Sequence, residues 1–105
     1  MQLVIGSVER ERSYDFDPTM RIERASFAAK LRAGRAVLGL SQDELAQQVG
    51  LTQKSVHRLE QGAVQPQLRT VARIQRFFCD RGISFENLRD GGFRLVVDST
   101  VLTQD

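Results

Sequence analysis

The chain has 105 residues, 41% of them hydrophobic and 27% charged, a balance that fits one small globular domain and excludes a disordered or fibrous chain. No run of about eighteen apolar residues occurs, so no membrane span is expected, and the N-terminal MQLVIGSVERER lacks the basic leader and long apolar stretch of a signal peptide. The net charge of +2 hides a division: residues 21–76 carry ten Lys/Arg and four Asp/Glu while both flanks are net acidic, which suits a nucleic-acid footprint and a solvated helical surface equally well.

In chain order, Met1–Val8 alternates in part, with Leu3 and Ile5 on one side, and is a candidate edge strand. Apolar spacing at Phe27, Leu31 and Leu38 predicts a first helix from near Ser26 to Leu38, stopped by Gly39. The second helix is QDELAQQV. Ser41 and Glu44 form a capping box, Leu40 and Leu45 occupy the staple positions, and Gly50 supplies the left-handed stop. Thr52 is a suitable N-cap for the third helix, with Leu51 and Val56 as its staple and Gly62 at its end. After Pro66, the spacing of Leu68, Val71, Ile74 and Phe78 predicts a fourth amphipathic helix closed by Gly82. The period then changes: Ile83–Phe85 and Phe93–Val97 are β-prone, with Asn87, Asp90, Gly91 and Gly92 as turn residues between them. A hairpin this short is marginal alone and needs the helices or another chain to pack on.

The second and third helices carry a more specific signal. Ala46 precedes Val56 by ten residues, with Gly50 in the turn and Leu45, Val49, Leu51 and Leu59 at the remaining apolar positions. A tight helix crossing needs a small side chain, a short turn needs a left-handed residue, and the second helix needs an inward anchor. Those needs define a helix-turn-helix. With 100° between successive residues, Thr52, Val56 and Leu59 share one side of the third helix. Lys54, His57, Arg58 and Gln61 point the other way, and Gln53 flanks them at the N-terminal end.

The stretch LRAGRAVLGLSQDELAQQVGLTQKSVHRLEQG resembles the helix-turn-helix domain of the Xre/Cro/C1 regulators, the class of the lambdoid phage repressors, over about residues 26–80. The resemblance implies a mainly α, lambda-repressor-like bundle of four to five helices in which the third reads DNA. The pattern Gly82-Ile83-Ser84-Phe85 and Gly91-Gly92-Phe93-Arg94-Leu95 matches the small C-terminal β-hairpin of many relatives. The implied organisation is an N-terminal extension over 1–20, a DNA-binding domain over 21–81, and a hairpin and tail over 82–105 that is a candidate dimerisation element. Residues 1–20 are a departure, since the family core does not need them.

By resemblance, Gln53, Lys54 and Arg58 are the leading base readers. Lys and Arg can donate to guanine O6 and N7, and Gln can pair with adenine N6 and N7. His57 is a weaker base contact and Ser55 a weaker base or phosphate contact. Gln42 opens the second helix, where free backbone N–H groups suit a phosphate, and Thr52 suits capping and phosphate contact alike. Arg32 is a further phosphate candidate, as are Lys30, Arg69 and Arg73, each equally readable as ordinary surface. Arg35 and Glu60 are expected to pair between the first and third helices as a structural contact, worth about 0–1 kcal/mol if exposed. The loop QGAVQPQ lacks the basic residues often found after such a recognition helix, which weakens the phosphate clamp there.

The expected function is therefore a sequence-specific regulator of transcription, a dimeric repressor on a palindromic operator. Its partners would be double-stranded DNA and a second copy of the chain. The alternative is a protein-interaction module on the same scaffold, such as an antitoxin or anti-activator whose main partner is a toxin or regulator. An enzyme is not expected: Walker, dinucleotide-binding and zinc-ligand patterns are all missing, and no cofactor or metal is called for. The single cysteine, Cys79, is expected to be a buried thiol and fits a reducing, cytoplasmic (nucleoid-associated) setting.

Overall fold

The computed structural model of the chain describes residues 18–103, and the candidate strand Met1–Val8 lies outside them. Five helices and two strands follow in the order α1 (Pro18–Leu38), α2 (Gln42–Val49), α3 (Gln53–Glu60), α4 (Leu68–Asp80), β1 (Ile83–Asn87), β2 (Phe93–Val97) and α5 (Ser99–Leu102). This is a mainly helical helix-turn-helix bundle with a small antiparallel hairpin, as the sequence leads one to expect.

The first helix begins eight residues earlier than its apolar spacing indicates, at Pro18 rather than near Ser26. Periodicity reports which residues are buried, not which are helical. The added turns consist largely of Arg, Glu, Met and Ala, which propagate a helix readily, and Pro is well accommodated at a first helical position, where its missing N–H costs nothing.

The two capped helices form as their local sequences dictate. At the start of α2 the Glu44 N–H donates to Ser41 Oγ at 3.0 Å while the Ser41 N–H donates to Glu44 Oε1 at 2.8 Å. Gly50 ends the helix at φ 72°, ψ 34°, a left-handed conformation in which a β-carbon is strained. Thr52 caps α3, its Oγ1 accepting the Ser55 N–H at 3.1 Å. A short helix, α5, follows the hairpin, capped by Asp98 through the Thr100 N–H at 3.0 Å. Two hydrogen bonds from Thr100 hold the Asp98 carboxyl below its ordinary pKa.

Leu31 of α1, Leu45, Ala46 and Val49 of α2, Val56 and Leu59 of α3, Ile74 and Phe78 of α4, and Ile83 of β1 form one continuous core. Gly34 of α1 sits directly over Phe78, where a β-carbon would lie 2.6 Å from the ring's Cζ, so the ring fills the place of a side chain. From Phe78 an edge-to-face aromatic series runs outward through Phe85 to Phe93, with centroid spacings of 6.1 and 5.8 Å. That series is what fastens the hairpin to the helices.

Two residues of α4 depart from expectation. Leu68, placed on the apolar face by its spacing, is 84% exposed. It occupies the first position of the helix, before the chain has turned onto the core. Cys79, expected to be buried beside Phe77 and Phe78, is exposed. The two phenylalanines take the inward directions, and a further 100° of rotation turns the next residue to solvent. Among the described residues no helix is long and apolar enough to cross a membrane.

Candidate nucleic-acid interface

The α3 helix is gripped from behind and open in front. Val56 is fully buried, Leu59 and Glu60 nearly so, and these hold the helix against α1 and α2. Gln53, Lys54, His57 and Arg58 are exposed on the opposite side, with Ser55 half-buried beside them. Among the described residues the Lys54 and Arg58 side chains have no hydrogen-bond or ion-pair partner, so their charges are free to meet a ligand.

Behind this edge lies a polar network that spacing alone does not reveal. Arg35 of α1 grips the Glu60 carboxylate with two prongs, Nε to Oε2 at 2.7 Å and Nη2 to Oε1 at 3.0 Å. Its remaining arm, Nη1, donates to the Leu40 carbonyl at 2.9 Å. Arg32, one turn earlier, donates from Nη1 to the Glu60 backbone carbonyl. Gln42, at the start of α2, donates from Nε2 to Glu60 Oε1 at 3.0 Å. Its own Oε1 accepts from Gln53 Nε2 at 2.7 Å, and the His57 Nδ1 lies 3.5 Å from the Gln42 amide nitrogen. One continuous chain of hydrogen bonds thus connects α1, the end of α3, the start of α2 and the start of α3.

The energetics of the Arg35–Glu60 contact differ from those of a surface pair. The Glu60 side chain is 4% exposed and that of Arg35 24%, so the carboxylate is removed from water. Burial pushes the Glu60 pKa up, but hydrogen bonds from Arg35 and Gln42, with the charges of Arg35 and Arg32, outweigh it and leave the carboxyl below its ordinary value. The hydrogen bond to Glu60 correspondingly raises the Arg35 pKa. Deleting one member strands a buried charge, which costs far more than an exposed pair would.

The remaining candidates are dispersed. Thr52 Oγ1 donates to Ser55 Oγ at 3.0 Å besides capping α3. Arg73 Nη1 donates to the Val49 carbonyl at 3.0 Å, satisfying the end of α2. The Lys30 ammonium donates to Asn87 Oδ1 and stands 5.5 Å from the Phe93 ring centroid, which places it at the hairpin, away from α3. Sequence reasoning missed the Gln42–Gln53 and Gln42–Glu60 contacts. The residue types allow such bonds, but spacing does not say which of these side chains meet once the helices cross. Among the described residues no cluster of three or more His, Cys, Asp or Glu side chains could hold a metal ion.

A family model described as a helix-turn-helix domain matches residues 26–79, about half of the chain and all of the α2–α3 pair. The chain belongs to the helix-turn-helix family. Two curated relatives point the same way. An uncharacterized HTH-type transcriptional regulator of Methanothermobacter thermautotrophicus is 44% identical over 46 residues, spanning 44% of this chain and 67% of the relative. Another of Archaeoglobus fulgidus is 39% identical over 49 residues, spanning 47% and 70%. This helix-turn-helix protein is thus a DNA-binding regulator by family, and α3 is the second helix of the matched helix-turn-helix.

Proposed function

We propose that the protein is a sequence-specific repressor that binds a palindromic operator as a dimer, inserting α3 into the major groove. The observation that carries this reading is the pairing of free and held groups on one helix edge. Lys54 and Arg58 stand exposed and unpaired among the described residues, while the adjacent Gln53 amide is fixed by Gln42. Free cations can turn to guanine O6 and N7. A held amide meets adenine N6 and N7 with less rotamer entropy to lose. His57 borders the same edge.

Gln42, Thr52, Ser55 and Arg32 are the proposed phosphate contacts, since they flank the N-terminal ends of α2 and α3 or the rim beside them. Arg32 would use the N–H groups left over from its bond to the Glu60 carbonyl. An eight-residue helix reads only a few base pairs, so two half-sites in register supply the specificity that one lacks. Occupancy of a promoter by such a dimer is sufficient to repress.

The test is selection of bound duplexes from a random library, then titration of the winner at several salt concentrations with wild type, Lys54→Ala and Arg58→Ala. The expected site is an inverted repeat, with affinity falling steeply as salt rises and each substitution costing about 1–3 kcal/mol. A library that enriches no sequence, with both substitutions silent, overturns the reading.

A further inference from the structure

The outer edge of β2 meets no further strand among the described residues, and the phase of the hairpin's hydrogen bonds is fixed by the contacts at its two ends. The ladder pairs Ile83 with Val97, Ser84 with Val96, Phe85 with Leu95, Glu86 with Arg94 and Asn87 with Phe93. Beyond either end, the Leu88 N–H donates to the Gly92 carbonyl at 2.8 Å and the Asp98 N–H to the Gly82 carbonyl at 2.7 Å. Hydrogen-bonded pairs alternate along an antiparallel ladder. Ser84–Val96 and Glu86–Arg94 are therefore the pairs that exchange backbone bonds within the hairpin. The backbone N–H and C=O groups of Phe93, Leu95 and Val97 face the other way, toward an edge on which no further strand pairs among the described residues.

The side chains at this edge are as incomplete as its backbone. Phe93, Leu95 and Val97 lie on the face turned to the helices, with Phe85 and the buried Ile83. Yet Leu95 is 36% exposed, Val96 is 41% exposed, and Leu102, on the helix just beyond, is 76% exposed. A two-stranded ribbon with an open apolar edge is a template for a further strand.

We infer that this edge pairs with the same edge of a second copy, β2 against β2 in antiparallel register about Leu95, to give a four-stranded sheet across the dimer. The inference deepens the dimeric reading above and rests on it. Self-pairing suits this sequence for three reasons. Leu95 falls opposite Leu95 of the second copy, and Phe93 opposite Val97, so all three outward-facing backbone positions meet counterparts and one apolar face continues across the junction. On the solvent face Arg94 falls opposite Val96 of the second copy, not opposite another cation. Each Arg94 is also engaged by Glu86 of its own hairpin at 3.4 Å. Like charges directly opposite would have disfavoured the pairing.

The register supplies its own test, on the full chain in a Cys79→Ser background so that the exposed native thiol does not interfere. Arg94→Cys and Val96→Cys proteins are prepared separately, mixed, and oxidised. A pair opposite one another without exchanging backbone bonds brings its α-carbons within reach of a disulfide. The mixture should therefore give a crosslinked dimer in large excess over either variant alone. Leu95→Pro removes an edge N–H that the hairpin itself does not use, and Leu95→Lys places a charge on the continued apolar face. Both should weaken dimerisation in sedimentation equilibrium by ~10-fold or more, the equivalent of about 1.4 kcal/mol, with unchanged far-ultraviolet circular dichroism.

A wild type that stays monomeric, a dimer that survives both Leu95 substitutions, or crosslinking no greater in the mixture overturns this interface. If the selected operator is still an inverted repeat, the two-half-site reading stands and the dimer forms elsewhere. If the operator is a single half-site and the protein monomeric, both fail.

Discussion

Around α2 and α3 directional polar bonds are added to the shared apolar core, whereas the hairpin is fastened to α4 by edge-to-face aromatic contacts. Arg35, Glu60, Gln42 and Gln53 each have a defined donor or acceptor, and displacing one by an ångström breaks its neighbour's bond. Phe78, Phe85 and Phe93 touch edge to face and would tolerate a small slide. The polar half is therefore suited to setting the orientation of a helix. The aromatic half supplies cohesion through apolar area, which does not depend on angle. A helix that must present side chains to base edges needs the first kind of support, and the end of the chain needs only the second.

Substitutions can break this contrast in either half. Phe78→Ala should have the largest effect, about 3–5 kcal/mol of stability in urea unfolding, because it empties the space beneath Gly34 and ends the aromatic series. Arg35→Ala should cost about 3 kcal/mol by leaving the Glu60 carboxylate buried and unpaired. It should also weaken operator binding measured at a temperature where the variant remains folded. If binding by the folded variant is unchanged, the network stabilises α3 without orienting it.

The acid limb sharpens the same point. The folded-state pKa of Glu60 is lowered. Its contribution is therefore fully present above the ordinary glutamate value of about 4.3 and is lost as pH falls below that through the folded value. Glu60→Gln should be less stable than wild type at neutral pH, with the difference in thermal midpoint narrowing as the pH is lowered. A constant difference would show that the carboxylate's charge is not what matters. Ser41→Ala should cost about 1 kcal/mol in the same unfolding assay by removing half of the capping box. Lys54→Ala should change stability least, within about 0.5 kcal/mol, while lowering operator affinity. That separation of stability from binding is what an unpaired surface reader requires.

Local chemistry made much of this legible in advance. The caps at Ser41 and Thr52, the left-handed Gly50 and the turn residues of the hairpin depend on neighbours a few positions away. Their elements appear where such signals put them, except that Asn87, expected in the turn, is the last residue of β1 and pairs with Phe93. Val56 and Leu59 could be assigned to the buried side of α3 from periodicity alone. The start of α1 differs from expectation because the stretch before Phe27 has no regular apolar spacing, while its Arg, Glu, Met and Ala residues still propagate a helix. Cys79 was misjudged because three adjacent apolar residues on α4 could not all face inward, and their order does not say which one turns out.

By itself, then, the sequence determined the helix-turn-helix, its boundaries near the caps, the polar edge of α3 and the change to β structure after Gly82. Each is encoded by residues close in sequence, within one helix, one hairpin or one helix-turn-helix pair. Only the tertiary structure decided that Glu60 is buried, that Gln42 bonds both Glu60 and Gln53, that Gly34 receives the Phe78 ring, and that Phe93, Leu95 and Val97 turn their backbone groups to an open edge. Those facts depend on how elements distant in sequence approach and on which ladder pairs exchange hydrogen bonds. Neither residue type nor spacing carries that information.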